Sequence, residues 1–141
     1  MSQISKHITF QEATHSDTAV RNAINNTPDA ATIEKMKLVA EKCFEPLRAW
    51  YGKPIRINSF YRSQLLNVKV GGSATSQHCK GEAIDISAGS RTENKKLYDW
   101  LVANLPEWDQ ILYEYGDDSG PDWVHVSYKA KGNRKQILRI R

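Results

Sequence analysis

The sequence predicts an α+β fold in which N-terminal helices precede a mainly antiparallel sheet. Apolar residues recur at helical spacing over residues 29–51, whereas alternating apolar and polar residues, typical of strands, are concentrated after residue 80. The chain has 141 residues, of which 40% are hydrophobic and 26% charged. These values are typical of one globular domain, so we expect a single domain over residues 1–141.

Helix boundaries are marked by capping residues. Thr9 and the pair Ser16–Asp17 stand where side chains cap a first helical turn, which predicts two short helices near the N-terminus. Asp29 begins a long helix that reaches about Tyr51, just before a glycine. Pro46 lies inside this helix and predicts a kink or break, because proline lacks the N–H that a helix interior uses. The buried stripe of the long helix comprises Ile33, Met36, Ala40, Cys43, Phe44, Leu47 and Trp50.

Alternating residues predict the strands and fix which side chains share a face. Strands are expected at residues 54–60, 81–87, 108–115, 122–128 and 135–141, with a helix at 92–104. On the second of these strands Asp85 faces away from Ile84 and Ile86. A carboxylate on a strand is held rigidly, as a metal ligand should be.

Charge and hydropathy limit the possible partners. The net charge is +4, and the basic excess lies in the last segment, which suits either an anionic polymer or a half-buried strand with a basic outer face. We favour the half-buried strand, because Ile137, Leu138 and Ile140 are interleaved with Lys135, Arg139 and Arg141. No nucleic-acid motif is present, and no apolar run approaches the ~20 residues of a membrane span. The N-terminus has no apolar signal core, so we expect synthesis in the cytoplasm.

Two short segments carry the residues of a zinc site. In SQHCKGEAID, His78 precedes Asp85 by seven positions, and in PDWVHVS, Asp122 precedes His125 by three. Two imidazoles and one carboxylate are a common ligand set for a catalytic Zn²⁺ with an open fourth position. A second carboxylate nearby can then take and return protons. We therefore predict His78, Asp85 and His125 as metal ligands. Cys79 is a rival ligand, but its side chain is expected to point away from that of His78.

These segments resemble the zinc D-Ala-D-Ala metallopeptidases, a family that includes D-alanyl-D-alanine carboxypeptidases, vancomycin-resistance dipeptidases and phage endolysins that cut L-alanyl-D-glutamate bonds. The resemblance extends from about Phe10 to Ser127 and implies the fold shared by these peptidases and the hedgehog signalling domain. The family pattern is matched by Ser76, His78, Gly81, Ala83, Asp85, Asp122 and His125, with Ser59, Tyr61, Arg62 and Ser63 upstream.

The resemblance also implies roles for residues beside the metal. Asp122 corresponds to the acid that acts as general base, and Arg62 to the cation that stabilises an oxyanion or binds a substrate carboxylate. Arg56 is a competing arginine. Asp122 and His125 have opposite alternation phases, so a bulge is needed to aim both at one metal. Rival carboxylates, which we interpret as turn residues, are Glu114, Asp117 and Asp118.

The implied function is a zinc-dependent peptidase that hydrolyses peptidoglycan stem peptides as a carboxypeptidase or endopeptidase. We expect a monomeric phage or prophage lysin, or a tail-associated wall hydrolase, that reaches the cell wall after release or delivery. Ser76 and Trp123 are candidate substrate-binding residues, although turn capping and core packing would also explain them. Loops at residues 67–75 and 116–121 are expected to select the bond. The alternative is a non-catalytic zinc-binding module of a phage particle, since fold alone does not fix activity.

Overall fold

The computed structural model describes residues 3–141, in which helices dominate the first half and strands the second. The helices are α1 (Phe10–Thr14), α2 (Asp17–Arg21), α3 (Ala30–Val39), α4 (Glu45–Tyr51), α5 (Gln64–Lys69) and α6 (Arg91–Asn104). The strands are β1 (Gln3–Ser5), β2 (Ile8–Thr9), β3 (Arg56–Ser59), β4 (Ala83–Ser87), β5 (Gln110–Glu114), β6 (Trp123–Ser127) and β7 (Gln136–Ile140). This arrangement confirms the predicted α+β class. Among residues 3–141, no helix combines the length and apolar character needed to cross a membrane.

The predicted caps begin the first three helices. Thr9 and Glu12 form a reciprocal capping box at α1, in which each side chain accepts a backbone N–H of the other residue. The hydroxyl of Ser16 accepts the N–H of Ala19 at the start of α2. Asp29 caps α3 by accepting the N–H of Thr32 at 2.8 Å.

The long predicted helix is continuous but contains a change of winding. A π-helical turn, Ala40–Phe44, separates α3 from α4 immediately before Pro46. A proline at this place leaves one carbonyl of the preceding turn without a helical N–H partner, and π-turns are a common way to accommodate such an interruption. Gly52 ends α4 in the left-handed conformation, with φ of 70°. The predicted long helix is present, and the irregularity near Pro46 is a π-turn where a kink or break was expected.

The five-stranded sheet has the order β3-β4-β6-β5-β7. All neighbouring pairs are antiparallel except β5 and β7, which run parallel. The register places Asp85 opposite His125, and Glu114 opposite Trp123. Residues directly opposite each other on paired strands project from the same face. One face of the sheet therefore carries Asp85, Glu114, Trp123 and His125.

The opposite face of the sheet forms the hydrophobic core with the helices. Helix α6 packs against β5 and β6, and α3 against β4. Burial of these apolar side chains fixes the register, because a shift by one residue would move every one of them to the other face. The fully buried strand residues on this side are Ile84, Ile86, Ile111, Val124 and Val126.

Strand β7 forms as predicted, but its side chains are more exposed than we expected. Ile137 and Leu138 are 42% and 44% exposed. The reason is that β7 lies at the edge of the sheet, where it pairs with β5 alone. The expectation of a half-buried last strand is therefore wrong over most of its length.

Candidate metal centre and cleft

Three residues that are distant in sequence meet at one buried point. His78 lies in a short 3₁₀ turn (Gln77–Lys80), Asp85 on β4 and His125 on β6. Each offers one ligand atom, and these atoms all lie within 4.8 Å of one another. Asp85 Oδ2 is 3.2 Å from His78 Nε2, and Asp85 Oδ1 is 2.9 Å from His125 Nδ1. The structure thus brings together the three predicted ligands.

The orientation of His78 is fixed by a backbone carbonyl. Its Nδ1 lies 2.8 Å from the carbonyl oxygen of Phe60, which can only accept a hydrogen bond, so Nδ1 carries the proton. Nε2 then faces Asp85, and this buried atom has no hydrogen-bonding partner of suitable geometry. A carbonyl that orients a histidine in this way is the usual outer support of a metal ligand.

Asp85 needs a cation between the two imidazoles. Burial raises the pKa of its carboxyl, but the adjacent His78 and His125 outweigh burial and hold that pKa well below its ordinary value. A lone pair of His78 that faces a carboxylate oxygen at 3.2 Å is unfavourable unless a proton or a metal ion lies between them. Two imidazoles and a carboxylate in a buried cluster fit Zn²⁺ by ligand type.

A fourth ionisable group, Glu114, projects from the same face of the sheet. Its Oε2 accepts a hydrogen bond from Trp123 Nε1 at 2.8 Å and lies 4.0 Å from His125 Nδ1. Burial first, and then the charge of Asp85, raise the pKa of Glu114. Glu114 is therefore not a turn carboxylate, as the sequence pattern suggests, but the last residue of β5, directly beside the predicted ligands.

Asp122 lies outside this cluster. Its Oδ1 accepts a hydrogen bond from Arg91 Nε at 2.9 Å, and its side chain is 39% exposed. The pairing of β6 shows no register shift from Trp123 to Ser127, and Asp122 lies just before this strand, where its N–H bonds to the carbonyl of Glu114. The structure therefore does not support the predicted role of Asp122, because regular alternation turns its side chain away from that of His125.

The ligands form the floor of a cleft of about 650 Å³. Arg62 lines this cleft, and its Nη2 donates to the hydroxyl of Ser76 at 3.2 Å. Ser76 also accepts the backbone N–H of His78, so it both caps the 3₁₀ turn and holds the arginine. Trp123 forms part of the wall beside Tyr115, with ring centroids 5.3 Å apart. Both candidate substrate-binding residues, Ser76 and Trp123, line the cleft.

The profile of the family described as Peptidase M15 matches residues 6–127, a span that contains all three ligands. The chain belongs to the peptidase M15 family. A zinc D-Ala-D-Ala carboxypeptidase of Streptomyces albus G is 40% identical to this chain over 63 residues, which make up 44% of this chain and 25% of that protein. This M15 chain thus aligns with about a quarter of that relative's length.

A buried carboxylate that the sequence did not reveal, Asp109, holds the turn that carries His78 in this M15 chain. Asp109 has no exposed surface and accepts hydrogen bonds from Arg134 at 2.7 Å and from the Gln77 side chain at 2.9 Å. Burial alone would raise the pKa of Asp109, but the hydrogen bonds from Arg134 and Gln77 lower it to about 2. Because Gln77 begins the 3₁₀ turn that carries His78, this ion pair anchors the turn to the C-terminal segment. The sequence signal was an aspartate before an apolar strand, which is too common to identify the pair.

The remaining rivals lie away from the M15 centre. Cys79 is partly buried and is not part of the ligand cluster. Asp117 bonds to Ser119 and Arg91, and Asp118 to Arg139. Of the two loops expected to select the bond, residues 70–75 contribute to the rim of the cleft, whereas the 116–121 turn does not line it.

Proposed function

We propose that this M15 family member is a zinc peptidase that hydrolyses peptide bonds in peptidoglycan stem peptides. The observation that carries the proposal is the unpartnered Nε2 of His78, which faces the buried Asp85 next to His125 and Glu114. Such a cluster suits a cation, and the carboxylate of Glu114 lies beside it. The name of the Streptomyces albus G relative supports zinc as the cation and a cell-wall peptide as the substrate.

In this proposal His78, Asp85 and His125 hold the zinc. When bound there, zinc polarises a peptide carbonyl and lowers the pKa of a water molecule. Glu114 takes the proton from the attacking water and returns it to the amine that leaves, so its carboxyl is unchanged at the end of the cycle. Its position on the ligand face and its bond to Trp123 support this role over Asp122.

Arg62 supplies positive charge on the rim of the same cleft. Within residues 3–141 its Nε is buried without a hydrogen-bonding partner, and Ser76 alone engages the guanidinium through a side chain. A cation with unused donors suits either the developing negative charge on the carbonyl oxygen or a substrate carboxylate. The anchored position of Arg62, whose backbone N–H bonds to the carbonyl of His78, keeps this charge beside the metal ligands.

We further propose that the protein acts as a phage or prophage lysin, or a tail-associated hydrolase, after delivery to the cell wall. The net charge of +4 supports only the wall as the place of action, because positive charge favours adsorption to anionic wall polymers.

Mass spectrometry of the fragments released from purified sacculi tests the function. Zinc-loaded wild type should release peptides with new stem-peptide termini, and the identity of those termini reports whether the cut is terminal or internal. His78→Ala, which removes a ligand, should release none. If wild type binds one zinc per chain yet releases no fragments from several wall types, the peptidase proposal fails and a non-catalytic zinc module becomes the better explanation.

A further inference from the structure

Arg62 is carried by a segment without regular secondary structure. Residues 60–63 lie between β3 and α5, and they bond to parts of the chain that are distant in sequence. The N–H of Arg62 donates to the carbonyl of His78, and the carbonyl of Phe60 accepts from His78 Nδ1. The other backbone groups of this segment need partners of their own, because unpaired backbone groups away from water are costly.

The buried side chain of Asn26 supplies these partners. Its Oδ1 accepts the N–H of Ser63 at 2.7 Å, and its Nδ2 donates to the carbonyl of Tyr61 at 3.1 Å. These groups belong to the residues immediately before and after Arg62, so one amide holds the backbone on both sides of the arginine, as the peptide group of a neighbouring strand would. Nδ2 also donates to the carbonyl of Thr14 at 2.9 Å, so both of its N–H groups are used.

The guanidinium that this segment carries has donors to spare. Among residues 3–141, the arginines that line the metal cleft are Arg62 and Arg134, and the competing Arg56 does not line it. Arg134 donates to the buried Asp109 through two nitrogens, whereas Arg62 Nε is buried without a partner. An unused donor beside the metal ligands is placed for a substrate oxygen. Its position must be accurate, since a displacement of about 1 Å can lower a rate about 100-fold.

We propose that Asn26 is a positioning residue that holds Arg62 against the substrate. This inference rests on the proposed function and adds a residue on which the same site depends. Asn26 does not line the metal cleft, so it acts through Arg62 and not on the substrate itself. His78 is held independently, because its neighbour Gln77 bonds to Asp109 at 2.9 Å. Loss of the Asn26 amide should therefore displace Arg62 and leave the predicted metal ligands in place.

A double-mutant cycle between Asn26 and Arg62 tests this inference. The value of kcat/KM for a synthetic stem pentapeptide is measured for wild type, Asn26→Ala, Arg62→Gln and the double variant, each loaded with zinc. Arg62→Gln should lower kcat/KM about 100-fold, and Asn26→Ala about 10- to 100-fold. The double variant should stay within about twofold of Arg62→Gln, because no guanidinium is left to position. A role in stability alone would lower kcat/KM by the same factor in both backgrounds.

Asn25→Ala is the matched control. The Asn25 side chain accepts the N–H of Thr27 at 3.0 Å in the same linker, and its replacement should leave kcat/KM unchanged. Asn26→Ser keeps one polar atom at the site and is the milder variant; if neither Asn26 variant folds, Asn26 serves the fold alone and the inference is overturned. Zinc affinity is a readout independent of turnover. It should be unchanged in Asn26→Ala, and a loss of zinc binding would overturn the inference.

The outcomes separate this inference from the peptidase proposal. If wild type cuts the pentapeptide and the effect of Asn26→Ala is absent, or is the same with and without Arg62, positioning is refuted and the peptidase stands. If wild type binds the pentapeptide but never cuts it or sacculi, the peptidase is refuted. The same cycle on the Kd of the pentapeptide then decides the inference, since coupled losses support it and equal factors refute it. If the pentapeptide neither binds nor is cut, both proposals are overturned.

Discussion

Replacement of Glu114 by Gln gives the sharpest test of the chemistry. The amide has the same length and still accepts a hydrogen bond from Trp123 Nε1, which lies 2.8 Å from the present carboxylate. The metal ligands and the sheet are left intact, so zinc binding and folding should be retained. Only proton transfer is removed. General acid–base catalysis contributes about 10²- to 10⁴-fold, so kcat should fall by that factor, equivalent to about 3 to 5 kcal/mol in activation free energy.

The matched control is Asp122→Asn, the residue that the sequence resemblance assigns as general base. In the structure it loses an ion pair with Arg91 in which both side chains are well exposed, 39% and 49%. Such a pair contributes about 0.2 to 1 kcal/mol to stability, and kcat should stay near that of wild type. Steady-state kinetics on a defined stem peptide, with zinc content measured for each variant, decides the matter. A loss of 100-fold or more in Asp122→Asn, with Glu114→Gln active, would refute our assignment and require Asp122 to leave Arg91.

Three further predictions concern the metal, acid stability and backbone. Zinc at 100 times its Kd should raise the unfolding free energy by about 2.7 kcal/mol in calorimetry, and His78→Ala should abolish that gain. The Asp109 carboxyl, with a pKa of about 2 against an ordinary 3.8, contributes about 2 kcal/mol above pH 4 that disappears as the pH falls toward 2. The urea-midpoint gap between wild type and Asp109→Asn should therefore shrink at low pH; a constant gap would contradict this. Gly81 and Gly52 have nearly the same positive φ, 72° and 70°, but a methyl group at Gly81 would lie 2.8 Å from Met36 whereas one at Gly52 would meet open space. In denaturant unfolding, Gly81→Ala should therefore lower the unfolding free energy by more than Gly52→Ala. Equal losses would contradict the packing argument.

The three residues that the structure brings into one cluster could be selected from the sequence because two of them interrupt apolar strands. Asp85 interrupts an apolar strand, AIDIS, and His125 another, WVHVS. Buried ionisable groups of this kind require a partner. The helix caps at Thr9, Ser16 and Asp29 were predictable for a similarly local reason, since each needs only the residues of one helical turn.

The position of Glu114 on the ligand face and the buried ion pair of Asp109 were missed because both depend on strand register and on contacts between distant segments. The sequence does not show that Glu114, at the end of β5, lies opposite Trp123 and so shares a face with His125. The exposure of β7 was misjudged for a related reason. Apolar and basic residues are interleaved in β7 as in a half-buried strand, but the sequence does not show that this strand lies at the edge of the sheet.

The same register explains why Asp122 is a weaker candidate than its motif spacing suggests. Counting three residues back from His125 treats the segment as if distance along the chain measured distance to the metal. On a regular strand only every second residue shares a face, so Asp122, three positions before His125, projects from the opposite face. Glu114 lies on the ligand face because it stands opposite Trp123 on the partner strand. A local bulge before β6 would reverse this conclusion by rotating Asp122 inward. The hydrogen bond from Arg91 Nε to Asp122 Oδ1 at 2.9 Å opposes such a rotation, because Asp122 would have to leave Arg91 to reach the ligands.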